Sequence, residues 1–323
     1  MLGILQGGRP PQPTWHRRAA QTREFPAFAI LIAALGWLIK TTPPFRTSNN
    51  LSVVAQDAGI LGIMAAGEAI VILTGGVDLS VGSALAMSAC GAGAMMMGGV
   101  PWPAAALGGL LIGALAGWIN GALVTYRRLP PILVTLSTLL LFRGVTNVAT
   151  GAAPYNILPE GFKLIGKGFL PLVAMVTVGV LFAFVQARTR YGRHLVAVGS
   201  SPVAARLSGL PLDGILRRTY LLSGLCAGCA GLFLAAANGN AQWTLAEGWE
   251  LDVIAATVIG GVRLTGGEGT VLGSMLGAMI VVVIRNALFL SGVPVEQYGL
   301  ITGAVIVAAA LAEQWRRHSE RHP

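Results

Sequence analysis

Charged residues are scarce in this sequence. Only 11% of its 323 residues are Asp, Glu, Lys or Arg, whereas 54% are hydrophobic, and the mean hydropathy is +0.70. A water-soluble protein of this composition would have too little polar surface to cover its core. The composition therefore excludes a soluble globular domain and predicts a protein of the lipid bilayer, where about 20 apolar residues form each spanning helix.

Residues typical of metal, redox or nucleotide sites are also few. The three cysteines, Cys90, Cys226 and Cys229, lie in apolar segments, where a thiol packs as a small hydrophobic group. The sequence has no G-x-x-x-x-G-K-[ST] phosphate loop. We therefore expect no cofactor, no metal and no ATP hydrolysis by this chain. A membrane-embedded enzyme is disfavoured because every histidine falls in a basic segment assigned below to the cytoplasm: His16, His194, His318 and His322.

The N-terminal segment lacks the features of a cleaved signal peptide. Residues 1–24 are rich in Pro, Gly, Gln and Arg and contain no short apolar core followed by a small-residue cleavage site. We expect the first apolar run to remain as a helix. The net charge of +9 does not indicate nucleic-acid binding, because the charges fall in short loops between apolar runs, where they determine topology.

Apolar runs that could span or enter the membrane occur at ten places: residues 25–39, 51–73, 79–97, 103–126, 131–149, 169–185, 219–237, 251–262, 271–290 and 298–312. If the N-terminus is cytoplasmic and the runs alternate, sixteen of the 22 Lys and Arg residues are cytoplasmic and four are outside. Basic loops resist translocation. The sequence therefore predicts an all-α polytopic protein with about ten transmembrane or re-entrant helices, a permease domain at 25–312, and cytoplasmic tails at 1–24 and 313–323.

A weak internal repeat suggests a transporter architecture. Residues 76–81 (Gly-Val-Asp-Leu-Ser-Val) resemble residues 248–253 (Gly-Trp-Glu-Leu-Asp-Val), and residues 119–123 resemble residues 284–288. With ten runs, the first copy follows an inward helix and the second follows an outward one, so the halves are inverted. Inverted repeats with polar, broken segments at matching places are typical of transporters.

The first of these segments places an ionisable residue between glycines inside apolar sequence. It reads Thr-Gly-Gly-Val-Asp-Leu-Ser-Val-Gly-Ser at residues 74–83. A carboxylate in lipid costs about 3 kcal/mol or more, so Asp78 must face protein, water or a partner. We predict that Asp78 and Ser80 belong to the substrate path. The alternative is that Asp78 only caps a helix beginning at Leu79.

The matching segment of the second half combines carboxylates with an indole. Glu247, Trp249 and Glu250 precede a run of only twelve residues at 251–262, about half of a bilayer. Trp249 can stack on a sugar face while carboxylates accept hydroxyl protons. We interpret Trp249 and Glu250 as lining the substrate path and Glu247 as solvated, the alternative being an aromatic interfacial anchor.

Further polar groups lie within apolar runs. Arg143 and Arg285 could reach the interface by snorkelling. Asn120 and Asn286 could hold helices together instead of contacting a solute. Glu68 is a further acidic residue within an apolar run. We assign three of these polar positions to the substrate path: Asn120, Thr135 and Asn286.

The longest cytoplasmic segment, residues 186–218, is too long for a simple turn and contains a helix signal. Ser201 can cap a helix, Pro202 suits its first position and Gly209 its C-terminal cap. We predict a helix of about two turns that binds a partner. The alternative is an amphipathic stretch resting on the anionic leaflet.

Several motifs together resemble a known family. Residues 75–83, 191–199 (Tyr-Gly-Arg-His-Leu-Val-Ala-Val-Gly), 202–209, 223–224 and 248–269 are similar, in this order, to those of ribose, arabinose and xylose type ABC sugar permeases. The similarity covers residues 50–312. Trp249 and Arg263 depart from the family pattern, which bears on the identity of the solute.

The resemblance implies partners and a location. Such permeases pair as two identical or related copies in the bacterial inner membrane, with a cytoplasmic ABC ATPase and a periplasmic solute-binding protein. It implies a role in coupling to the ATPase for Pro202, Ala204, Ala205, Arg206, Ser208 and Gly209. It also places the Asp78 and Glu250 regions near the translocation path. An ion-coupled secondary transporter of a small polar solute is the alternative function.

Overall fold

The protein is helical throughout the part that the computed structural model describes, residues 24–156, 158–294, 297–301 and 303–304. The only strand-like feature within those residues is an isolated antiparallel bridge between Tyr155 and Ala241. This confirms the predicted all-α class. The predicted cytoplasmic tails and most of the run at 298–312 lie outside the described residues.

Residues 24–290 contain twelve α-helices. They are α1 (Phe25–Thr41), α2 (Ser48–Leu73), α3 (Val81–Met97), α4 (Trp102–Tyr126), α5 (Pro131–Thr150), α6 (Glu160–Lys163), α7 (Leu170–Arg188), α8 (Arg190–Ser200), α9 (Pro202–Leu207), α10 (Leu212–Asn238), α11 (Trp249–Ile259) and α12 (Val271–Leu290). Six of them are long and apolar enough to cross a membrane: α2, α4, α5, α7, α10 and α12. Two more, α1 and α3, are apolar but shorter, with 17 residues each.

The first nine apolar runs each correspond to a helix, with boundaries that differ in an informative way. The helix expected at 219–237 begins seven residues earlier, at Leu212, because it continues past the apolar run through Arg217 and Arg218. Hydropathy detects only the part of a helix that suits lipid, whereas backbone hydrogen bonding continues into the polar segment.

The helices pack closely through small residues. A Cβ atom on Gly117 of α4 would lie 2.1 Å from the Tyr220 carbonyl oxygen of α10, and one on Gly224 of α10 would lie 2.2 Å from the Gly113 carbonyl oxygen. In lipid, close backbone approach and dispersion replace the hydrophobic effect as the source of helix association. The glycines therefore fix α4 and α10 against each other.

Three packing contacts around α3 and α4 have counterparts around α11 and α12. The pairs α3–α4, α4–α10 and α3–α10 correspond to α11–α12, α12–α2 and α11–α2. Helices α2 and α10 also contact each other. These two helices therefore occupy equivalent central positions in the two halves.

The connecting segments gather at two ends of the helix bundle. At one end the Gly267 N–H donates to the Leu73 carbonyl at 3.0 Å, and the Arg217 guanidinium lies 4.6 Å from the Tyr126 ring centre. We call this the basic end. At the other end lies the Tyr155–Ala241 bridge. Loops that are predicted to lie on opposite sides of the membrane are thus found at opposite ends of the bundle.

The irregular segment between α10 and α11, residues 239–248, enters the bundle from the Tyr155 end. A Cβ on Gly93 of α3 would lie 3.2 Å from Ala241 Cβ, and one on Gly82 would lie 2.7 Å from the Ala246 carbonyl oxygen. Since Gly82 and Gly93 are 11 residues apart on one helix, the segment descends roughly 16 Å along α3. Irregular backbone at this depth is tolerated where protein surrounds it. The half-length helix α11 consequently begins inside the bundle.

Candidate functional site

The break between α2 and α3 holds a buried network of polar side chains. Asp78 Oδ1 accepts hydrogen bonds from the Ser80 N–H (3.0 Å), the Ser80 hydroxyl (2.7 Å) and Asn120 Nδ2 of α4 (3.4 Å). Asp78 Oδ2 accepts from the Ser223 hydroxyl of α10 at 3.0 Å. Asp78, Ser80 and Asn120 are each no more than 2% exposed. The network therefore ties the broken segment to two helices and is closed to solvent.

Helix α5 supports the same network from another side. The Thr138 hydroxyl donates to Asn120 Oδ1 at 2.7 Å, and the Thr135 hydroxyl donates to the Val77 carbonyl at 3.0 Å. Both threonines also bond to carbonyls of the preceding turn of their own helix. Four predicted path residues, Asp78, Ser80, Asn120 and Thr135, thus meet in one cluster.

The capping alternative for Asp78 is only partly realised. Helix α3 begins at Val81, not at Leu79, and its N-cap residue Ser80 makes no side-chain cap hydrogen bond. The Asp78 carboxylate instead binds the Ser80 backbone and side chain just ahead of the helix. Asp78 therefore shapes the turn that precedes α3.

A second buried acid completes this region. Glu68 Oε1 of α2 accepts from the Asp78 N–H at 3.0 Å, while Glu68 Oε2 and the Tyr220 hydroxyl have no hydrogen-bond partner. Glu68 and Tyr220 are both fully buried. Within the described residues, neither Glu68 nor Asp78 forms an ion pair with Lys or Arg. The role of Tyr220 could not be predicted from sequence, because a tyrosine at the start of an apolar run commonly marks the membrane interface.

An open cavity lies beside α2, α11 and α12, the helices that correspond to α10, α3 and α4 around the Asp78 network. The cavity has a volume of about 650 Å³ and is bordered by α2, α11, α12 and three residues that follow α12, Tyr298, Gly299 and Gly303. We call it the Arg285 cavity. Its polar and aromatic lining includes Asp57, Glu247, Trp249, Asp252, Arg285 and Asn286. Trp249 and Asn286, both predicted path residues, therefore face open space.

A charged pair lies at the centre of this lining. The Arg285 guanidinium of α12 forms an ion pair with the Asp252 carboxylate of α11, and it sits 5.8 Å from the Trp249 ring centre. Asp57 of α2 interacts electrostatically with Arg285 from the facing helix. Sequence reasoning missed Asp57, although an aspartate in the middle of an apolar run is itself a signal.

Glu250 points away from the Arg285 cavity. A Cβ on Gly82 would lie 2.7 Å from Glu250 Oε2, and Arg143 is the nearest cation that acts on this carboxylate. The exposed residue at the cavity is instead Glu247. The structure therefore places Glu247, which is exposed as expected for a solvated acid, at the cavity, and Glu250 between α3 and α5. The assignment of Glu250 to the substrate path stays a prediction.

The two arginines within apolar runs both have partners within the bundle. Arg143 Nη1 donates to the carbonyl oxygens of Trp243 and Leu245, the latter at 2.8 Å. Arg285 is paired with Asp252. Both guanidiniums find partners inside the bundle because irregular or charged segments lie beside them, which a hydropathy profile does not show.

Asn286 also links helices. Its side chain exchanges two hydrogen bonds with Asn50 of α2, at 3.1 and 2.8 Å. This contact fixes α12 against α2 at the edge of the Arg285 cavity. The helix-linking interpretation therefore applies to Asn286 together with its place in the cavity wall.

The predicted partner-binding helix is α9. The Ser201 hydroxyl accepts from the Ala204 N–H at 3.2 Å, Pro202 occupies the first turn, and Gly209 adopts φ +78° beyond the last turn. Ala205 is buried, whereas Val203 and Leu207 are 71% and 85% exposed. Five of the six residues predicted to couple to the ATPase are exposed: Pro202, Ala204, Arg206, Ser208 and Gly209.

Helix α8 anchors α9 to the bundle. The hydroxyl groups of Tyr191 and Thr219 are 2.9 Å apart, and burial raises the pKa of Tyr191 above its usual value. The phenol therefore stays protonated and holds α8 against α10. Beside α9 lies a cleft of about 720 Å³ whose lining includes the cations Arg128, Arg206 and Arg217.

Comparisons with known proteins identify the family. The family described as "Branched-chain amino acid transport system / permease component" matches residues 50–310. A ribose import permease protein of Escherichia coli K12 is 37% identical over 88% of this chain and 90% of its own length. A ribose import permease protein of Bacillus subtilis is 36% identical over 84% of this chain and 87% of its own length.

Relatives named for other solutes are similarly close. An autoinducer 2 import system permease protein of an Enterobacter strain is 33% identical over 94% of this chain and 90% of its own length. The matched range contains the buried Asp78 network, the Arg285 cavity and α9. The chain therefore belongs to the permease family of ABC sugar importers and is a multi-pass protein of the bacterial inner membrane.

Proposed function

We propose that this chain is the membrane-spanning subunit of an ATP-driven importer for a monosaccharide or sugar-like solute. A separate cytoplasmic ATPase would supply the energy, a periplasmic solute-binding protein would deliver the solute, and a second permease copy or paralogue would complete the pore. The proposal is supported by relatives that are named as ribose, D-allose and fructose import permeases.

The proposed topology has ten crossings, with residues 1–24 and 313–323 in the cytoplasm. The basic end then faces the cytoplasm, in agreement with the distribution of Lys and Arg. The paired packing contacts of the two halves support an inverted repeat, with α2–α4 equivalent to α10–α12.

The observation that carries the coupling proposal is the outward face of α9. Val203 and Leu207 are four residues apart, so they lie on one face of this helix, and both are largely exposed. Exposed apolar side chains beside a cleft lined by arginines suit a partner with a hydrophobic groove and an acidic rim. We assign this role to the ATPase and interpret the segment 202–209 as the coupling element.

Substitution on α9 tests the coupling role. Leu207→Glu should abolish co-purification of the ATPase and solute-stimulated ATP hydrolysis, because a charge would enter an apolar contact. Leu207→Met, which retains an apolar side chain, should keep both activities. Thermal unfolding should be unchanged in both variants, since Leu207 is 85% exposed. If the glutamate variant still binds and stimulates the ATPase, α9 is not the docking element.

A second experiment addresses the energy source. Reconstituted vesicles with the complete complex should lose solute uptake when the ATPase carries a substitution that blocks hydrolysis. Uptake that persists under an ion gradient would overturn the importer proposal in favour of a secondary transporter.

A further inference from the structure

The Arg285 cavity contains charges that helix packing alone does not require. Arg285 is the fifteenth residue of α12, roughly 21 Å from its start, and Asp57 is the tenth residue of α2, roughly 14 Å from its start. Both therefore lie within their spanning segments, Arg285 five residues, or roughly 8 Å, before the end of α12. Each such charge costs about 3 kcal/mol at the centre of a bilayer, and retained charges there commonly mark a solute or ion path.

The internal repeat supplies a comparison within the same molecule. Aligning residues 76–81 with 248–253 pairs Ser80 with Asp252, and aligning 119–123 with 284–288 pairs Asn120 with Arg285. In the first half the neutral pair is hydrogen bonded at 2.7 Å and closed to solvent. The equivalent contact in the second half is an ion pair whose arginine side chain is 27% exposed.

This difference between the halves helps to distinguish side chains that helix packing requires from side chains that a ligand would require. In the first half, Ser80 and Asn120 join the start of α3 to α4 through a neutral hydrogen bond, and both side chains also donate to the Asp78 carboxylate. A buried or half-buried ion pair is seldom more stabilising than a neutral alternative, because desolvation offsets the Coulomb attraction. The charged version in the second half therefore points to a role toward something that enters the cavity.

The lining specifies the chemistry of that ligand. The carboxylates of Asp57 and Glu247 can accept hydrogen bonds from hydroxyl groups, and the Trp249 ring offers an apolar face. A volume of about 650 Å³ is within the usual range for small-molecule sites. Three carboxylates, those of Asp57, Glu247 and Asp252, face one guanidinium. The cavity is therefore net negative.

We propose that the Arg285 cavity binds a neutral polyhydroxylated solute and that its excess of carboxylates rejects anionic sugars, such as sugar phosphates and sugar acids. Asp57 is the discriminating residue, because it faces the cavity from α2 without forming the ion pair that Asp252 makes. The choice of a sugar as the ligand rests on the proposed function, whereas the position of the site and its charge do not.

Protection of an introduced cysteine tests this site directly. In the full chain, with its three native cysteines replaced by alanine, Val53→Cys places a thiol in the cavity wall, whereas Val203→Cys places one on α9. The probes are D-ribose and D-glucose, as a neutral pentose and hexose, and their phosphate esters. At least one neutral sugar should slow maleimide labelling at position 53 and not at position 203, and the esters should not slow it.

Charge removal then tests the role of Asp57. Asp57→Asn should raise the sugar concentration for half-protection about tenfold, the loss expected for one charged hydrogen-bond acceptor, and should allow the phosphate esters to protect. Glu160→Gln removes an exposed carboxylate from α6, outside the cavity lining, and should change neither value. Thermal unfolding of each variant identifies any that fails to fold.

Three results would overturn the inference. They are no protection by either neutral sugar, equal protection by the phosphate esters in the unchanged cavity, and protection that is unaffected by Asp57→Asn. Failure of the proposed function is detected separately, by the ATPase association and uptake experiments. A chain that couples to the ATPase but shows no protection would keep its function and lose this site.

Discussion

Two acidic side chains, Glu68 and Asp78, are fully buried beside each other, and their hydrogen bonds restrict where a proton can be. Asp78 receives four hydrogen bonds on its carboxylate, whereas Glu68 receives one and has a free oxygen. Two unpaired charges buried together would cost more than these bonds return. We infer that Glu68 holds a proton while Asp78 is the acceptor at the centre of the network.

This inference predicts opposite outcomes for two substitutions. Glu68→Gln should keep the stability of the protein, because an amide oxygen can accept from the Asp78 N–H as a protonated carboxyl does. Glu68→Leu should lower the free energy of unfolding by roughly 1–3 kcal/mol, because that buried N–H loses its acceptor. Thermal unfolding of the purified protein in detergent measures both. Equal losses in the two variants would show that Glu68 is charged.

Arg143 illustrates how a single side chain can hold an irregular segment. Arg143→Met should free the segment 240–248, because the carbonyl groups of Trp243 and Leu245 would lose their donor inside the bundle. We expect faster amide hydrogen exchange at residues 243–250 and a lower unfolding temperature. Leu140→Ala, on the outward face of the same helix, is the matched control, since Leu140 is 67% exposed. Unchanged exchange in the methionine variant would contradict the anchoring role.

The polar residues could be predicted individually but not as clusters. Asp78 and Ser80 are adjacent in sequence, so their association was expected, whereas Ser223 lies 145 residues from Asp78 and reaches it only through the packing of α10. Glu247 and Glu250 have different surroundings because Gly248 has φ +82°, which redirects the chain between them. Hydropathy contains no information on either effect.

At the scale of elements, three segments meet at the basic end with almost no space between them. A Cβ on Gly199, at the end of α8, would lie 1.9 Å from the Leu73 carbonyl oxygen and 2.4 Å from the Gly267 nitrogen. The Gly267 N–H donates to that same Leu73 carbonyl. The element that carries α9 thus contacts both the end of α2 and the loop between α11 and α12.

This junction predicts that a single methyl group would interfere with coupling. Gly199→Ala should displace α8 from Leu73 and break the Gly267–Leu73 hydrogen bond. We expect the number of solute molecules transported per ATP hydrolysed to fall, with a smaller effect on the affinity for the ATPase. Gly214→Ala in the first turn of α10 is the control, because no atom lies within 4 Å of its added Cβ. Equal transport stoichiometry in the two variants would exclude the junction from the coupling route.

The elements themselves followed closely from the sequence. Capping residues predicted the start of α9 at Pro202, and hydropathy predicted the end of α2 at Leu73 and both ends of α12. The separate helix α8 was not predicted as an element of its own, because Arg190–Ser200 is amphipathic and lacks the apolar run that marks a spanning helix. Its stability depends on contacts with α7, α2 and α10 that form only in the folded chain.

At the scale of the whole molecule, the two halves differ in how open their equivalent polar sites are. The Asp78 network of the first half is filled by Asn120, Ser223 and Tyr220, whereas the equivalent helices of the second half enclose the Arg285 cavity. In an inverted repeat these sites approach the bilayer centre from opposite sides. One half then serves as a closed support, and the other provides the surface that a solute meets.

The orientation of this arrangement can be tested with two cysteines. Leu164→Cys lies near the Tyr155 end and Val203→Cys on α9, with native side chains 58% and 71% exposed. Because basic segments resist translocation, a membrane-impermeant maleimide should label position 164 in spheroplasts and position 203 only after permeabilisation. The three native cysteines are replaced by alanine so that labelling reports only these sites. The reverse pattern would place α9 outside the cell, where no ATPase could reach it, and would refute both the topology and the coupling role of α9.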